Sequence, residues 1–120
     1  MKTLLVVEDD ADIFDYYRIL FGGLDVRLLR AATGREGLAV VDAGAAIDLI
    51  LLDMVLPEMG GEEFFRAVRL ERGVATPVVA CSVDESLIEP LWRVGPLQGV
   101  FLKGNPGSTL VALVRERLGL

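Results

Sequence analysis

A chain of 120 residues, 52% of them hydrophobic, carries enough apolar material for one core, and no break in composition divides it, so residues 1–120 are read as one domain. Its 12 Lys and Arg against 18 Asp and Glu leave a net charge of -6, which argues against a surface that coats nucleic acid. One cysteine, Cys81, and no histidine exclude an internal disulfide, a zinc site of Cys and His, a Ser/His/Asp triad and a phosphohistidine on this chain.

The first apolar run, Leu4-Leu5-Val6-Val7, is cut off by Glu8-Asp9-Asp10, too short for a secretory signal. No later run approaches the roughly 18 residues of a membrane span, so a soluble protein of the reducing cytoplasm is expected. Four more runs follow: Val26-Arg27-Leu28-Leu29, Leu49-Ile50-Leu51-Leu52, Pro77-Val78-Val79-Ala80-Cys81 and Gly99-Val100-Phe101-Leu102. Runs with so little polar alternation suit parallel strands covered on both faces, and Arg27 marks the second as an edge strand.

Helical periodicity fills the intervals. Ile13, Tyr17 and Leu20 predict a first helix, ended by Gly22-Gly23 in a left-handed cap. Thr33 and Glu36 form a capping-box pattern opening a second helix that runs to Gly44. A third follows Gly60-Gly61, with Phe64, Phe65 and Val68 inward, and stops at Gly73. A fourth, shortened or bent by Pro90, opens near Asp84 with Leu87, Leu91 and Val94 on one stripe and Ile88 and Trp92 off it. A fifth begins near Ser108 and turns Leu110, Leu113, Val114 and Leu118 inward. Five βα units predict an α/β three-layer sandwich around a five-stranded parallel sheet, with any ligand site beyond the carboxyl ends of the strands.

The chemistry-bearing residues fall at those ends: Glu8, Asp9 and Asp10 after the first run, Asp53 after the third, Ser82 after the fourth and Lys103 after the fifth. Each alone has an ordinary explanation. Acidic residues complement a helix N-terminus, a lone Asp forms a turn, Ser82 with Glu85 makes a capping box, and a lysine is a solvated charge. Their coincidence on one sheet edge is what those explanations do not require. Gathered carboxylates call for a compensating cation; hard oxygen ligands suit Mg²⁺, and Lys103 and Ser82 add a positive charge and a hydroxyl for phosphoryl oxygens.

With these residues in this order, the chain resembles the receiver domains of bacterial two-component response regulators. The resemblance rests on residues 4–10, on residues 48–61 with Asp53, Pro57, Met59 and Gly61, on residues 77–82 and on Leu102-Lys103, and spans essentially the whole chain. It implies the flavodoxin-like strand order 2-1-3-4-5 and a switch rather than an enzyme. It also implies that Asp53 accepts a phosphoryl group from a histidine kinase or phosphotransfer protein. Asp9 and Asp53 would ligate Mg²⁺ directly, Glu8 through water, and the Val55 backbone carbonyl would complete the metal site. Lys103 would pair with phosphoryl oxygens, and Ser82 would turn towards them. The fourth helix, fifth strand and fifth helix would form a face for a second copy of the chain, an output domain or a target protein, with Trp92 a candidate contact. Phe14, Asp15 and Arg18 would be candidates for kinase docking. Both a stand-alone receiver and one domain of a larger regulator fit this pattern.

Four positions depart from it or leave it open. Gly104 stands where the family usually has proline, Val100 where it often has an aromatic, and Val83 where a small residue is common. Val55, with Asp84, flanks the water that would hydrolyse an acyl phosphate, and an apolar side chain that cannot orient water implies slow loss of the phosphoryl group. Two competing readings remain: a degenerate receiver acting as a phosphorylation-independent interaction module, and a small phosphatase with Asp53 as nucleophile. The haloacid-dehalogenase group of phosphatases carries Asp-x-Asp, whereas the second position here is Val55.

Overall fold

A computed structural model describes residues 1–120. Five parallel strands, β1 (Lys2–Val7), β2 (Val26–Ala31), β3 (Leu49–Asp53), β4 (Val78–Ser82) and β5 (Gly99–Leu102), form one sheet in the order β2-β1-β3-β4-β5. All five residues of β3 and of β4 are buried, as uninterrupted apolar runs require, whereas β2 is an edge strand with Arg27 and Arg30 exposed. Side chains alternate across the sheet and build two cores. Leu5, Val7, Ile50, Leu52, Phe64, Phe65 and Leu91 belong to one, and Leu4, Val6, Leu51, Tyr17, Phe101, Leu110 and Val114 to the other.

Helix α1 (Ala11–Leu20) opens on Asp10, whose side chain accepts from the N–H groups of Asp12 and Ile13. It does not end on a left-handed glycine. Neither Gly22 nor Gly23 has positive φ, and the helix closes instead through Phe21 at φ -93°, because that buried ring stacks on Tyr17 at 5.9 Å and holds the backbone in register. Helix α2 (Gly34–Asp42) begins at Thr33, whose hydroxyl accepts from the Glu36 N–H. The Glu36 carboxylate reaches one residue further back than a capping box requires and accepts from Ala32 N–H at 2.6 Å. Helix α3 (Gly61–Arg66) widens into a π turn over Ala67–Glu71 before the chain reverses at Gly73, φ 61°.

The predicted fourth helix is absent. Its place is taken by two 3₁₀ segments, Glu85–Leu87 and Glu89–Arg93. Pro90 has no N–H to donate and disfavours α geometry in the residue before it, so continuous i→i-4 bonding through this stretch fails. The inward stripe changes with the geometry: Ile88 and Leu91 are buried, whereas Leu87 is partly exposed and Trp92 is half exposed. Helix α4 (Gly107–Leu118) buries Leu110, Val114 and Leu118 as expected and ends on Gly119, φ 70°.

Candidate functional site

Parallel pairing places every strand end on one edge. The ladder bond from Glu8 N–H to the Ala31 carbonyl, 3.0 Å, is the last before the chain leaves β1, and Lys103 N–H bonds the Ser82 carbonyl at 2.8 Å just past β5. Asp53 ends β3 and Ser82 ends β4. Glu8, Asp9, Asp10, Asp53, Val55, Ser82 and Lys103, all singled out from the sequence, therefore line one cleft of about 320 Å³.

Lys103 sits at its centre. The ammonium donates to Asp53 Oδ1 at 3.2 Å and lies 3.5 Å from Glu8 Oε1. Burial works against its charge, but the carboxylates of Asp53 and Glu8 outweigh burial and raise its pKa. Glu8 is 1% exposed; burial first, then the Asp53 charge, push its carboxyl up to about 7, with Lys103 pulling the other way. Oxygens of Glu8, Asp9 and Asp53 lie within 4.8 Å of one another. At an effective dielectric near 20 each ionised pair at that separation repels by about 3 kcal/mol. One ammonium does not cancel three carboxylates, so the cleft keeps a negative charge that a divalent cation would balance. The geometry supplies a place for it: Glu8 Oε1 is buried and accepts no hydrogen bond.

Asp53 Oδ1 also accepts from the Val55 N–H at 3.3 Å, and the Val55 side chain, 61% exposed, stands at the mouth beside it. Ser82 is buried; its hydroxyl accepts from Asp84 N–H at 3.0 Å and is left with an uncommitted proton. The capping box expected of Ser82 and Glu85 does not form, because Asp84 caps the 3₁₀ turn by accepting from Ser86 N–H at 2.9 Å. Asp10 stands apart from the acidic trio as the cap of α1. Gly104 takes φ 105° with trans peptide bonds, a backbone closed to proline, so the departure at this position belongs to the loop's own shape. Val83 is exposed on the rim, and Val100 faces a separate groove beside Trp92. On α1, Asp15 and Arg18 form an exposed ion pair of 3.8 Å.

One residue at the site escaped the sequence reading. Arg30, at the carboxyl end of β2, donates to the backbone carbonyls of Glu8 at 3.3 Å and Asp9 at 3.1 Å and stacks over Phe14 at 5.6 Å. A second arginine three residues beyond Arg27, at the end of the strand that faces the acidic loop, was the available signal.

Residues 4–111 match the response regulator receiver domain family. The chain belongs to that family. It is 37% identical over 89 residues to the transcriptional regulatory protein CiaR of Streptococcus pneumoniae, covering 72% of this chain and 38% of the relative. It is 30% identical over 118 residues to the DNA-binding response regulator MtrA of Mycolicibacterium paratuberculosis, covering 98% and 51%. The receiver thus spans about half the length, or less, of these curated relatives. Among solved structures, chemotaxis protein CheY4 of Vibrio cholerae superposes with a TM-score of 0.84 at 27% identity, covering 98% of this chain and 99% of that one. The Francisella response regulator 1452 receiver domain shares the fold, with a TM-score of 0.87 at 20% identity and coverage of 99% and 98%. The receiver fold, the strand order and the two-component setting expected from the sequence are those of the family.

Proposed function

We propose that residues 1–120 act as one phosphorylation-switched receiver in which Asp53 takes a phosphoryl group from the phosphohistidine of a kinase or phosphotransfer protein. The observation that carries this reading is the Lys103 ammonium shared between Asp53 and Glu8 inside an acidic cleft. A carboxylate oxygen of Asp53 attacks phosphorus; the new O–P bond forms as the P–N bond to the donor imidazole breaks, and its electron pair returns to the ring nitrogen. Lys103 meets the charge on the transferred oxygens, and the uncommitted Ser82 hydroxyl proton is available to them. Glu8, Asp9, Asp53 and the Val55 carbonyl would hold Mg²⁺, a fit supported by the buried Glu8 Oε1, which accepts no hydrogen bond and has only the Lys103 ion pair, and by the hard-oxygen donor set. Bound there, Mg²⁺ would supply the positive charge that lets these carboxylates stay ionised beside a phosphoryl group.

The chain makes and loses this bond once per signal, which is the behaviour of a switch. Val55 presents no general acid and no group to orient water, which counts against the phosphatase reading and favours a long-lived acyl phosphate. The phosphorylated state would bias a surface read by an output domain, a target protein or a second copy of the chain in the cytoplasm, with no direct contact to nucleic acid or membrane. No helix is long and apolar enough to cross a membrane.

The test is intact mass after incubation with acetyl phosphate, with and without Mg²⁺, on the wild type and Asp53→Ala. One phosphoryl adduct that needs Mg²⁺ and is missing in Asp53→Ala is the expected result. A folded wild type that stays unmodified with both acetyl phosphate and a phosphohistidine donor would leave the phosphorylation-independent module.

A further inference from the structure

The backbone that carries Glu8 and Asp9 has just left the sheet, and its carbonyls have lost their ladder partners. No backbone N–H donates to the carbonyl of Glu8 or of Asp9. Both are taken by one side chain, with Arg30 Nε 3.3 Å from the Glu8 oxygen and Nη2 3.1 Å from the Asp9 oxygen. The guanidinium itself lies over the Phe14 ring, its Cζ 5.6 Å from the ring centre, so α1 and β2 together aim it. Asp9 needs this support more than its neighbours do. Glu8 is buried and Asp53 is tied to Lys103 and Val55, whereas the Asp9 side chain is exposed and makes no hydrogen bond of its own.

We propose that Arg30 is a positioning residue for divalent-cation binding: by clamping two consecutive carbonyls it fixes the direction in which the Asp9 carboxylate leaves the backbone. The inference rests on the reading of the cleft as a cation and phosphoryl site. A planar fork with donors at fixed separation bridges two carbonyls, which a lysine ammonium cannot do in the same geometry. Groups that orient metal ligands from behind commonly govern affinity by about 10–100-fold.

Calorimetric titration with Mg²⁺ alone, without phosphodonor, reads the clamp directly. Arg30→Ala and Arg30→Gln should weaken binding about 10-fold, Arg30→Lys should recover only part of it, and all three should remain fully folded at the temperature of the titration. Arg27→Ala removes the same charge from the same exposed strand and should change affinity less than 2-fold, by roughly the effect of one screened surface charge. With acetyl phosphate, Arg30→Ala should need more Mg²⁺ for half-maximal labelling yet approach the wild-type rate at saturation. Equal Mg²⁺ affinity in wild type and Arg30→Ala, or an equal loss in Arg27→Ala, overturns the clamp while leaving the site intact. A wild type that binds no Mg²⁺ overturns both.

Discussion

Glu8 ties folding to protonation in the metal-free chain. Folded, it keeps its proton up to about pH 7; unfolded, it releases it near 4.5. The native state therefore binds the extra proton between those values, and stability falls as pH rises across that window, by about 3 kcal/mol at most. Asp42, lowered by its hydrogen bond from Arg72, and Asp84, lowered by the Ser86 hydroxyl, titrate below it; Lys103, raised by Asp53 and Glu8 against the effect of burial, titrates above it. Urea unfolding in a chelator from pH 4.5 to 7.5 should show the decline, and Glu8→Gln should remove most of it. Lys103→Met makes the complementary test. With the ammonium gone, the transferred oxygens lose one of the two positive charges proposed to meet them, so labelling by acetyl phosphate at saturating Mg²⁺ should slow by about 100-fold. These residues were legible because each follows a run that reads unmistakably as a buried strand, and parallel topology brings strand ends together. Arg30 was not, because its partners lie more than 20 positions away and are backbone carbonyls, so a second arginine at the end of β2 was a signal with nothing in residue types to say what it meets.

The strands matched expectation because apolar runs of four or five residues, too short for a helix and set between amphipathic stretches, bury both faces as inner strands of a parallel sheet. Helix ends were harder, since their outcome is decided by tertiary contacts. Phe21 overrides two glycines by packing, and Pro90 changes the hydrogen-bond pattern of a whole segment rather than bending one helix. The turn from β3 into α3 shows how closely an element can be bound to the site. A Cβ on Gly61 would lie 2.8 Å from Met54 Cα, the residue after Asp53, and backbone there cannot yield. Gly61→Ala should cost about 1–3 kcal/mol in urea unfolding and slow phosphoryl acceptance with it. Gly23→Ala meets nothing within 4 Å and has no positive φ, so the same substitution there should be neutral or stabilise by about 0.4–1 kcal/mol.

For the molecule as a whole, the cleft concentrates three of the carboxylates that make up a net charge of -6, and a bound divalent cation would relieve both the local crowding and the total excess. Mg²⁺ at 100 times its dissociation constant should stabilise the fold by about 2.7 kcal/mol, read as a rise in the thermal midpoint that a chelator reverses and Asp9→Asn largely removes. Two separate cores flank the sheet, and β5 belongs to both: Val100 and Leu102 pack against one, Phe101 lies in the other, and Lys103 follows at the strand's end. A displacement of Lys103 would thus reach opposite sides of the molecule through a single strand. Linkage makes that arrangement run in both directions. If Asp53 is modified as proposed, a partner that grips either face and prefers one position of β5 would shift the equilibrium for modification by the same factor by which modification shifts the partner's grip, so the listener would also weigh in on how much of the message is present.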